Sequence, residues 1–516
     1  MGPQPTGGHN RRMTAPFPDL LPPRLAALEA GLLERGEAVR LALLAALAGE
    51  HVLLIGPPGT AKSALARRLH TAFDGARYFE RLLTRFSVPE ELFGPLSLKA
   101  LEADRYERLV DGYLPTAGLA FLDEVFKANS AILNALLTLL NERVFDNGST
   151  RAPVPLVCVV AASNEVPEDE ALQAFHDRFL VRVPVAPIGD ASFAALLELG
   201  EAAPAAEAPP ITAAERAELA ATARTVTLPA EVLAGLQAAR ARCAARQIAV
   251  SDRRWRQTAG LLRTAAASSG RQAVQTLDLW LLPHCLGGTP AQVAELQAWV
   301  EAELLGAQPV DTQAFDRAVQ AFEAQLRIEE SAPAEAGDDA GQAGKMALAR
   351  NLGGEGLDHA DAGGLRIRAA ALEAKSRRRW SPVHVQARLA QLDALIAQAE
   401  AAQAPLQARA ARLGAELARS PWLPPALAAR LQAAQAASAA AVAGLLARLA
   451  ACRAGFAALP IDPKLIGEAP EAPEAPRWAG EPAPAADGQP ARPAARDAVQ
   501  AAVAGLSQRP GTPARA

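Results

Sequence analysis

Apolar residues in this chain fall into two kinds of run. Short continuous runs at 52–55, about 78–83, 119–122 and 156–162 have the length of buried strands. Between and after them, apolar positions recur at helical spacing. Leu25, Leu28 and Leu32 form one such series, Val39, Leu43, Leu44 and Leu47 another after a break near Gly36, and 128–143 a third. Helices alternating with continuous apolar strands predict an α/β fold, a parallel sheet in a three-layer αβα sandwich with ligands at the strand C-terminal ends. Further on, Thr212 and Ser251 are expected N-caps of two helices, and a third helical region covers about 291–328. From Val383 to Leu417 leucines recur near heptad spacing. The run Ser420-Pro421-Trp422-Leu423-Pro424-Pro425 interrupts them before a second helix to about Phe456, which predicts a helical hairpin.

The expected organisation is a flexible leader at 1–23, an αβα core at 24–200, an all-helical lid at 211–290 and a C-terminal helical region at 291–330 and 376–460. Ala202–Pro210 reads as a Pro/Ala-rich linker, and 331–375, low in large apolar side chains, as a flexible connector. The Pro/Ala-rich tail 461–516, with its Glu-Ala-Pro triplets, is expected to be disordered.

Composition narrows the functional classes. With 52 Lys+Arg against 56 Asp+Glu, the formal net charge is −4, which argues against a protein built to coat nucleic acid or an anionic membrane. No stable nucleic-acid binding is expected. Cys158, Cys243, Cys285 and Cys452 lie far apart with no C-x-x-C spacing, so a reducing, cytoplasmic setting is the natural expectation. Arg11 and Arg12 are followed by Pro16, Pro18, Pro22 and Pro23 where a signal peptide would need an apolar stretch, and no uncharged run has the length of a transmembrane segment.

The candidate chemistry begins at Gly56-Pro57-Pro58-Gly59-Thr60-Ala61-Lys62-Ser63, directly after Val52-Leu53-Leu54-Ile55. A buried strand feeding a Gly-rich loop that opens onto a helix can cradle phosphate oxygens with backbone N–H groups. Lys62 can neutralise the β- and γ-phosphates and Ser63 can ligate Mg²⁺. Ala61 stands where a second Gly is usual, and the expectation is that Ala adopts the negative φ of a first helical turn there. Leu119-Ala120-Phe121-Leu122-Asp123-Glu124 is a strand ending in acid. Asp123 would hold Mg²⁺, usually through water, and Glu124 would polarise the attacking water. Either carboxylate alone is more often a solvated loop residue; following a phosphate loop and an apolar strand, the functional reading is favoured.

Asn164 ends the run Val159-Val160-Ala161-Ala162-Ser163, where it could report on the γ-phosphate or merely start a turn before Pro167. Arg178, in Asp177-Arg178-Phe179, could complete a neighbouring subunit's site or form a structural ion pair; Arg182 competes for the role. In Ser251-Asp252-Arg253-Arg254-Trp255-Arg256, one of Arg253 and Arg254 could contact phosphate from the lid, and the sequence leaves both open.

In this order these segments resemble AAA+ ATPases of the MoxR family. So does the wording around them: Thr84-Arg85-Phe86-Ser87, Pro89-Glu90-Glu91-Leu92-Phe93-Gly94-Pro95, Gly112-Tyr113-Leu114-Pro115, Asn134-Ala135-Leu136-Leu137 and Asn141-Glu142-Arg143. Within the family the wording looks most like the RavA (regulatory ATPase variant A) branch, closely over about 30–195 and well at Ser251–Arg263. The resemblance implies ATP and Mg²⁺ as cofactors, with Gly56, Pro57, Pro58, Gly59, Thr60, Ala61, Lys62 and Ser63 as the phosphate loop, where Ala61 is common. It implies Asp123 as the Mg²⁺-associated acid, Glu124 as base, Asn164 as sensor 1, Arg178 as arginine finger and Arg253 as sensor 2. It further implies a hexameric ring, a von Willebrand factor A domain partner, and chaperone-like remodelling of an unidentified protein client. Val144-Phe145-Asp146-Asn147-Gly148 suits a hairpin turned by Asn-Gly, where this branch carries one. RavA-type proteins also insert a partly β domain that docks onto a lysine decarboxylase; here 331–375 is short and nearly devoid of strand signals, which counts against that contact. Two other classes remain: a DNA-acting motor, disfavoured by the acidic charge, and a nucleotide-binding scaffold, in conflict with the presence of both Glu124 and Arg178.

Overall fold

The computed structural model describes residues 16–167, 169–198, 208–332 and 378–471. The chain divides into two compact units, one of Met1–Ala307 with Leu413–Leu431 and one of Gln308–Arg412 with Gln432–Ala516. The predicted linker from 202 to 207, the connector from 333 and the tail from 472 lie outside the described residues.

The first unit opens with helices α1 (Phe17–Glu29) and α2 (Gly36–Ala48), then β1 (Val52–Ile55), α3 (Lys62–His70) and β2 (Tyr78–Leu82). Short helices α4 (Pro89–Phe93) and α5 (Leu98–Leu101) precede β3 (Leu119–Asp123) and α6 (Ser130–Glu142). A hairpin of β4 (Val144–Asn147) and β5 (Thr150–Pro153) leads to β6 (Cys158–Ser163), α7 (Glu170–His176), β7 (Val181–Pro184) and α8 (Asp190–Glu198). The strands other than the hairpin form one parallel sheet in the order β2-β3-β6-β1-β7. The central strands β1, β3 and β6 are apolar on both faces because α2 and α3 cover one face while α6 and α7 supply Leu136, Leu139 and Phe175 to the other.

The pattern predicted four of the five sheet strands. It missed β7, where Arg182 splits the apolar run Leu180–Val185; the strand is fixed by tertiary pairing, Val52 facing Val181 in parallel register with β1. The hairpin forms as expected, with Gly148 at φ 63° in its turn. Asn147 does more than turn the chain: its Oδ1 accepts from the Arg108 N–H at 2.6 Å and its Nδ2 donates to the Arg108 carbonyl at 3.1 Å.

The predicted leader is helical from Phe17, despite Pro22 and Pro23 inside α1. Proline in a helix interior removes a backbone hydrogen bond. What holds α1 is burial of Leu21, Leu25 and Leu28 and the guanidinium of Arg24, which donates to the Pro209 carbonyl at 2.9 Å and to Glu215 at 2.8 Å.

The lid helices are α9 (Ala213–Thr225), α10 (Ala230–Ala245), α11 (Asp252–Ser268), α12 (Leu282–Leu286) and α13 (Pro290–Trp299). Thr212 caps α9 in a reciprocal capping box with Glu215, and Ser251 caps α11 through the Arg254 N–H, as their sequence positions predicted. The unit runs to Ala307, past the predicted boundary at 290. It also takes in the turn of the helical hairpin, where Trp422 is buried and its Nε1 donates to Ser268 Oγ at 2.8 Å.

The second unit contains α14 (Gln313–Ser331) and most of α15 (Pro382–Ala418) and α16 (Pro425–Ala457), the arms of the predicted hairpin. Phe315, Val319, Phe322, Leu392, Leu445, Leu449 and Phe456 form its core. By length and composition α16 could cross a membrane, in contrast to the expectation of no such segment. Leu445, Leu449, Cys452 and Phe456 of α16 belong to that core, and Arg448 on the same helix pairs with Asp316 and Glu323 at 2.8 Å each.

Candidate nucleotide site

The site is built at the C-terminal edge of the parallel sheet. The chain leaves β1 at Gly56, whose N–H donates to the Ser163 carbonyl at 3.0 Å. A Cβ at Gly56 would come within 2.0 Å of the Val185 carbonyl oxygen, so only glycine fits. The loop is fastened from behind: Thr60 Oγ1 donates to the Pro57 carbonyl, and the buried Arg35 guanidinium donates to the carbonyls of Thr60 at 3.1 Å and Ala186 at 2.7 Å. Pro57, Pro58 and Gly59 stay exposed.

Gly59 has φ 79° and Ala61 has φ 63°. The sequence expectation of a negative φ at Ala61 is therefore incorrect. Ala61 is the residue before helix α3 in the left-handed region, a conformation that costs an alanine about 1 kcal/mol relative to glycine. Such strain persists where the surroundings over-determine it, here the fastened loop on one side and α3 on the other.

Lys62 begins α3 and Ser63 follows, half-buried. The Lys62 Nζ donates to the carbonyls of Gly56 at 2.7 Å and Pro57 at 2.9 Å and lies 3.4 Å from Asn164 Oδ1. Burial lowers its pKa, while the negative charges of Asp123 and Glu124 act in the opposite direction. Alternating backbone conformations ahead of a helix start, with a lysine inside, fit the phosphates of a nucleotide. Ser63 and Asp123 supply one hydroxyl and one carboxylate, the donor set Mg²⁺ uses when phosphates and water complete its shell.

Asp123 ends β3, and its Oδ1 accepts from the Glu124 N–H at 3.0 Å. Glu124 also sits in the left-handed region, at φ 53°. Because β6 lies between β3 and β1, Asn164 at its end stands midway between the loop and the acids. Its Nδ2 donates to Glu124 Oε1 while its Oδ1 faces Lys62, so a single side chain links the phosphate-binding cation to the prospective base. The sheet brings Gly56, Pro57, Pro58, Gly59, Thr60, Ala61, Lys62, Ser63, Asp123, Glu124 and Asn164 to one edge.

The arginines are elsewhere. Arg178 lies in the turn before β7 and Arg253 at the start of α11, both beside the N-terminal edge of the sheet. Asp177 does not pair with Arg178 as a structural reading would have it: its carboxylate meets Arg254 at 2.9 Å and Arg182 at 3.8 Å. Arg178 keeps a buried Nε with no hydrogen-bond partner. Arg182, the competing finger, is buried within β7 and donates to the carbonyls of Gly287 and His176; burial, then the Arg254 charge, push its pKa down to about 9.

Arg254 is a structural clamp, 2% exposed, donating to the carbonyls of Asp177, Phe179, Leu180 and Cys285. Arg253 is exposed and donates to Asn141 Oδ1 at 3.1 Å, not to the phosphate loop of its own chain. It lines a cavity of about 870 Å³ with Glu50, Arg224, Arg256, Gln257 and Arg263.

Sequence reasoning missed Arg35, which has no motif, and Lys127, whose Nζ lies 3.3 Å from Glu124 Oε2. The spacing Glu124-x-x-Lys127 was the available signal for the second.

A five-stranded parallel sheet with a phosphate loop, an acid-ending strand, a polar residue on the strand between them and a helical lid defines the AAA+ class of P-loop proteins. A family model described as the MoxR domain in MoxR–vWA–beta-propeller ternary systems matches residues 20–223, and an AAA lid domain model matches 231–300. The protein MJ0079 of Methanocaldococcus jannaschii is 41% identical over 262 residues, covering 50% of this chain and 67% of its own length. MJ0812 of the same organism is 54% identical over 156 residues, 30% of this chain and 42% of its own. Protein MoxR of Paracoccus denitrificans is 29% identical over 167 residues, 31% of this chain and 48% of its own. The chain belongs to the MoxR family of AAA+ ATPases.

Proposed function

We propose that this chain binds ATP with Mg²⁺ and hydrolyses it, in a hexameric ring that remodels or matures protein complexes together with a von Willebrand factor A domain protein. The observation that carries the chemical part is the line Lys62–Asn164–Glu124, a phosphate-binding cation joined through one amide to a carboxylate at the end of the neighbouring acid strand. In this reading Lys62 and the loop N–H groups orient the triphosphate, Ser63 and Asp123 hold Mg²⁺, and Glu124 takes a proton from the attacking water. Asn164 registers whether the γ-phosphate is present. When bound, Mg²⁺ supplies charge neutralisation on the transferring phosphoryl group.

Arg178 acts as the finger in a neighbouring subunit, and Arg253 reaches phosphate from the lid only across a subunit boundary. The von Willebrand factor A partner rests on the family resemblance and on the description of the matched model, which adds a beta-propeller component as the class of protein to test as client. The likeness to RavA-type wording and a cytoplasmic location belong to the same reading.

Phosphate release by the purified full chain, with Mg²⁺ and with EDTA, tests the chemistry. Glu124→Gln is expected to retain ATP binding and to lower kcat by about 10²–10⁴-fold, the range general bases contribute. Turnover by Glu124→Gln within threefold of the parent would remove Glu124 from the role of base. Co-purification of a tagged Glu124→Gln chain with a von Willebrand factor A protein in ATP, lost in ADP, tests the partner.

A further inference from the structure

We propose that Lys127 is a positioning residue for Glu124, a role that rests on the ATPase reading above. The carboxylate of Glu124 has both oxygens engaged: Asn164 Nδ2 donates to Oε1, and Lys127 Nζ stands 3.3 Å from Oε2. The second contact is set by the backbone. Glu124 in the left-handed region starts a turn of 3-10 helix, Val125–Lys127, in which the Lys127 N–H donates to the Glu124 carbonyl at 2.9 Å. That turn places residues three apart on the same side.

The turn is itself pinned. Val125 is fully buried, and the Phe126 ring packs against Phe175 at 6.2 Å, edge to face, and against His176 at 5.9 Å. Lys127 therefore emerges from a fixed turn, with its ammonium beside the one carboxylate oxygen that Asn164 does not hold.

Lys127 contacts no element of the phosphate loop in the described hydrogen bonds and ion pairs, and its side chain is 62% exposed against 15% for Glu124. An exposed ion pair of this kind is weak. It can select the orientation of a neighbouring carboxylate but cannot fix the phosphates. The expected signature is thus a modest loss in kcat with no loss in nucleotide binding. Asn164 is shared between Lys62 and Glu124. When phosphate draws Lys62 away from Asn164, Lys127 keeps Oε2 in place while the Asn164 contact to Oε1 gives way to the attacking water.

The test uses the full chain with Lys127→Met, Lys127→Arg, Glu124→Gln and the double variant Glu124→Gln/Lys127→Met, measured in steady state and in single turnover with enzyme in excess. Lys127→Met is expected to lower kcat about fivefold, the scale of an exposed ion pair. Its KM for ATP should stay within about twofold, and Lys127→Arg, which keeps the cation, should recover most of kcat. In the Glu124→Gln background, Lys127→Met should change the single-turnover rate by less than about twofold, because a residue acting through Glu124 has nothing left to position.

An equal loss in both backgrounds overturns the proposal, as does a raised KM with kcat unchanged, which would make Lys127 a nucleotide contact. Failure of the ATPase reading looks different: Glu124→Gln alone would then turn over at nearly the parent rate.

Discussion

The two edges of the parallel sheet are built on opposite plans. At the C-terminal edge, short backbone departures from β1, β3 and β6 link one cation, one amide and one acid in a row, Lys62–Asn164–Glu124, with Asp123 accepting from the Glu124 backbone N–H. The N-terminal edge is dominated by arginine. Arg254 and Arg182 clamp carbonyls and Asp177, while Arg178 and Arg253 engage neither the acids nor the loop of their own chain. β1 has four residues, which at about 3.3 Å each separates the edges by about 13 Å. A guanidinium at one edge cannot serve phosphates at the other edge of the same sheet. In the proposed reading, a single chain would therefore carry a phosphate site at one edge and, at the other, arginines available only to a second chain's site.

The sharpest way to break that comparison is Arg178→Ala. As a finger acting in a neighbour, it should cost about 10³-fold or more in kcat with nucleotide binding intact. Lys62→Ala subunits, inactive by themselves, should restore part of that activity when mixed with Arg178→Ala subunits. Verified mixed oligomers that stay inactive would show that the two edges do not cooperate between chains.

A smaller effect separates the two adjacent arginines. Removing the buried Arg254 strands several carbonyls and Asp177, and thermal unfolding should report a loss of about 3–5 kcal/mol. Arg253→Ala, at an exposed position, should change stability by no more than about 0.5 kcal/mol. Equal losses for both would mean that Arg253 is also structural.

The smallest effect concerns Glu50, beside the Arg253 cavity. Burial raises its carboxyl pKa to about 7, against the opposing charges of Arg143 and Arg253 and a hydrogen bond from Gln257 at 2.8 Å. A carboxyl whose folded pKa lies above its unfolded value favours folding at low pH. That contribution is complete below about 4.5 and is lost as pH rises through 7. Glu50→Gln should therefore raise the melting temperature at pH 8 relative to the parent, by at most about 3 kcal/mol of stability, and leave it nearly unchanged at pH 5. A Tm difference independent of pH would show that Glu50 does not carry a titration linked to folding. His51 next to it, fully buried and held near a pKa of about 3, stays neutral throughout this range.

Much of the phosphate edge could be read from residues in a row. Gly56–Ser63, Asp123-Glu124 and Asn164 each follow an apolar run, and in a parallel sheet strand ends necessarily converge at one edge. The arginine edge was not legible in this way. Ser251-Asp252-Arg253-Arg254 contains two arginines of identical local context, and a difference of one residue along α11 sends one into a buried cage of carbonyls and leaves the other in solvent. Arg182 read as a free cation because the strand around it, β7, has too short an apolar run to announce itself.

The sequence by itself determined the αβα core, the placing of Gly56–Ser63 and Asp123-Glu124 at strand ends, the caps Thr212 and Ser251 and the helical hairpin. Each rests on a local rule: periodicity, a loop composition, or a side chain capping its own helix. Only tertiary structure decided the left-handed backbone at Ala61, the strand at β7, the division of labour between Arg253 and Arg254, and the joining of Lys62 to Glu124 through Asn164. Those depend on which strands lie side by side and what is buried between them, and pairing at a distance leaves no periodic mark on the chain.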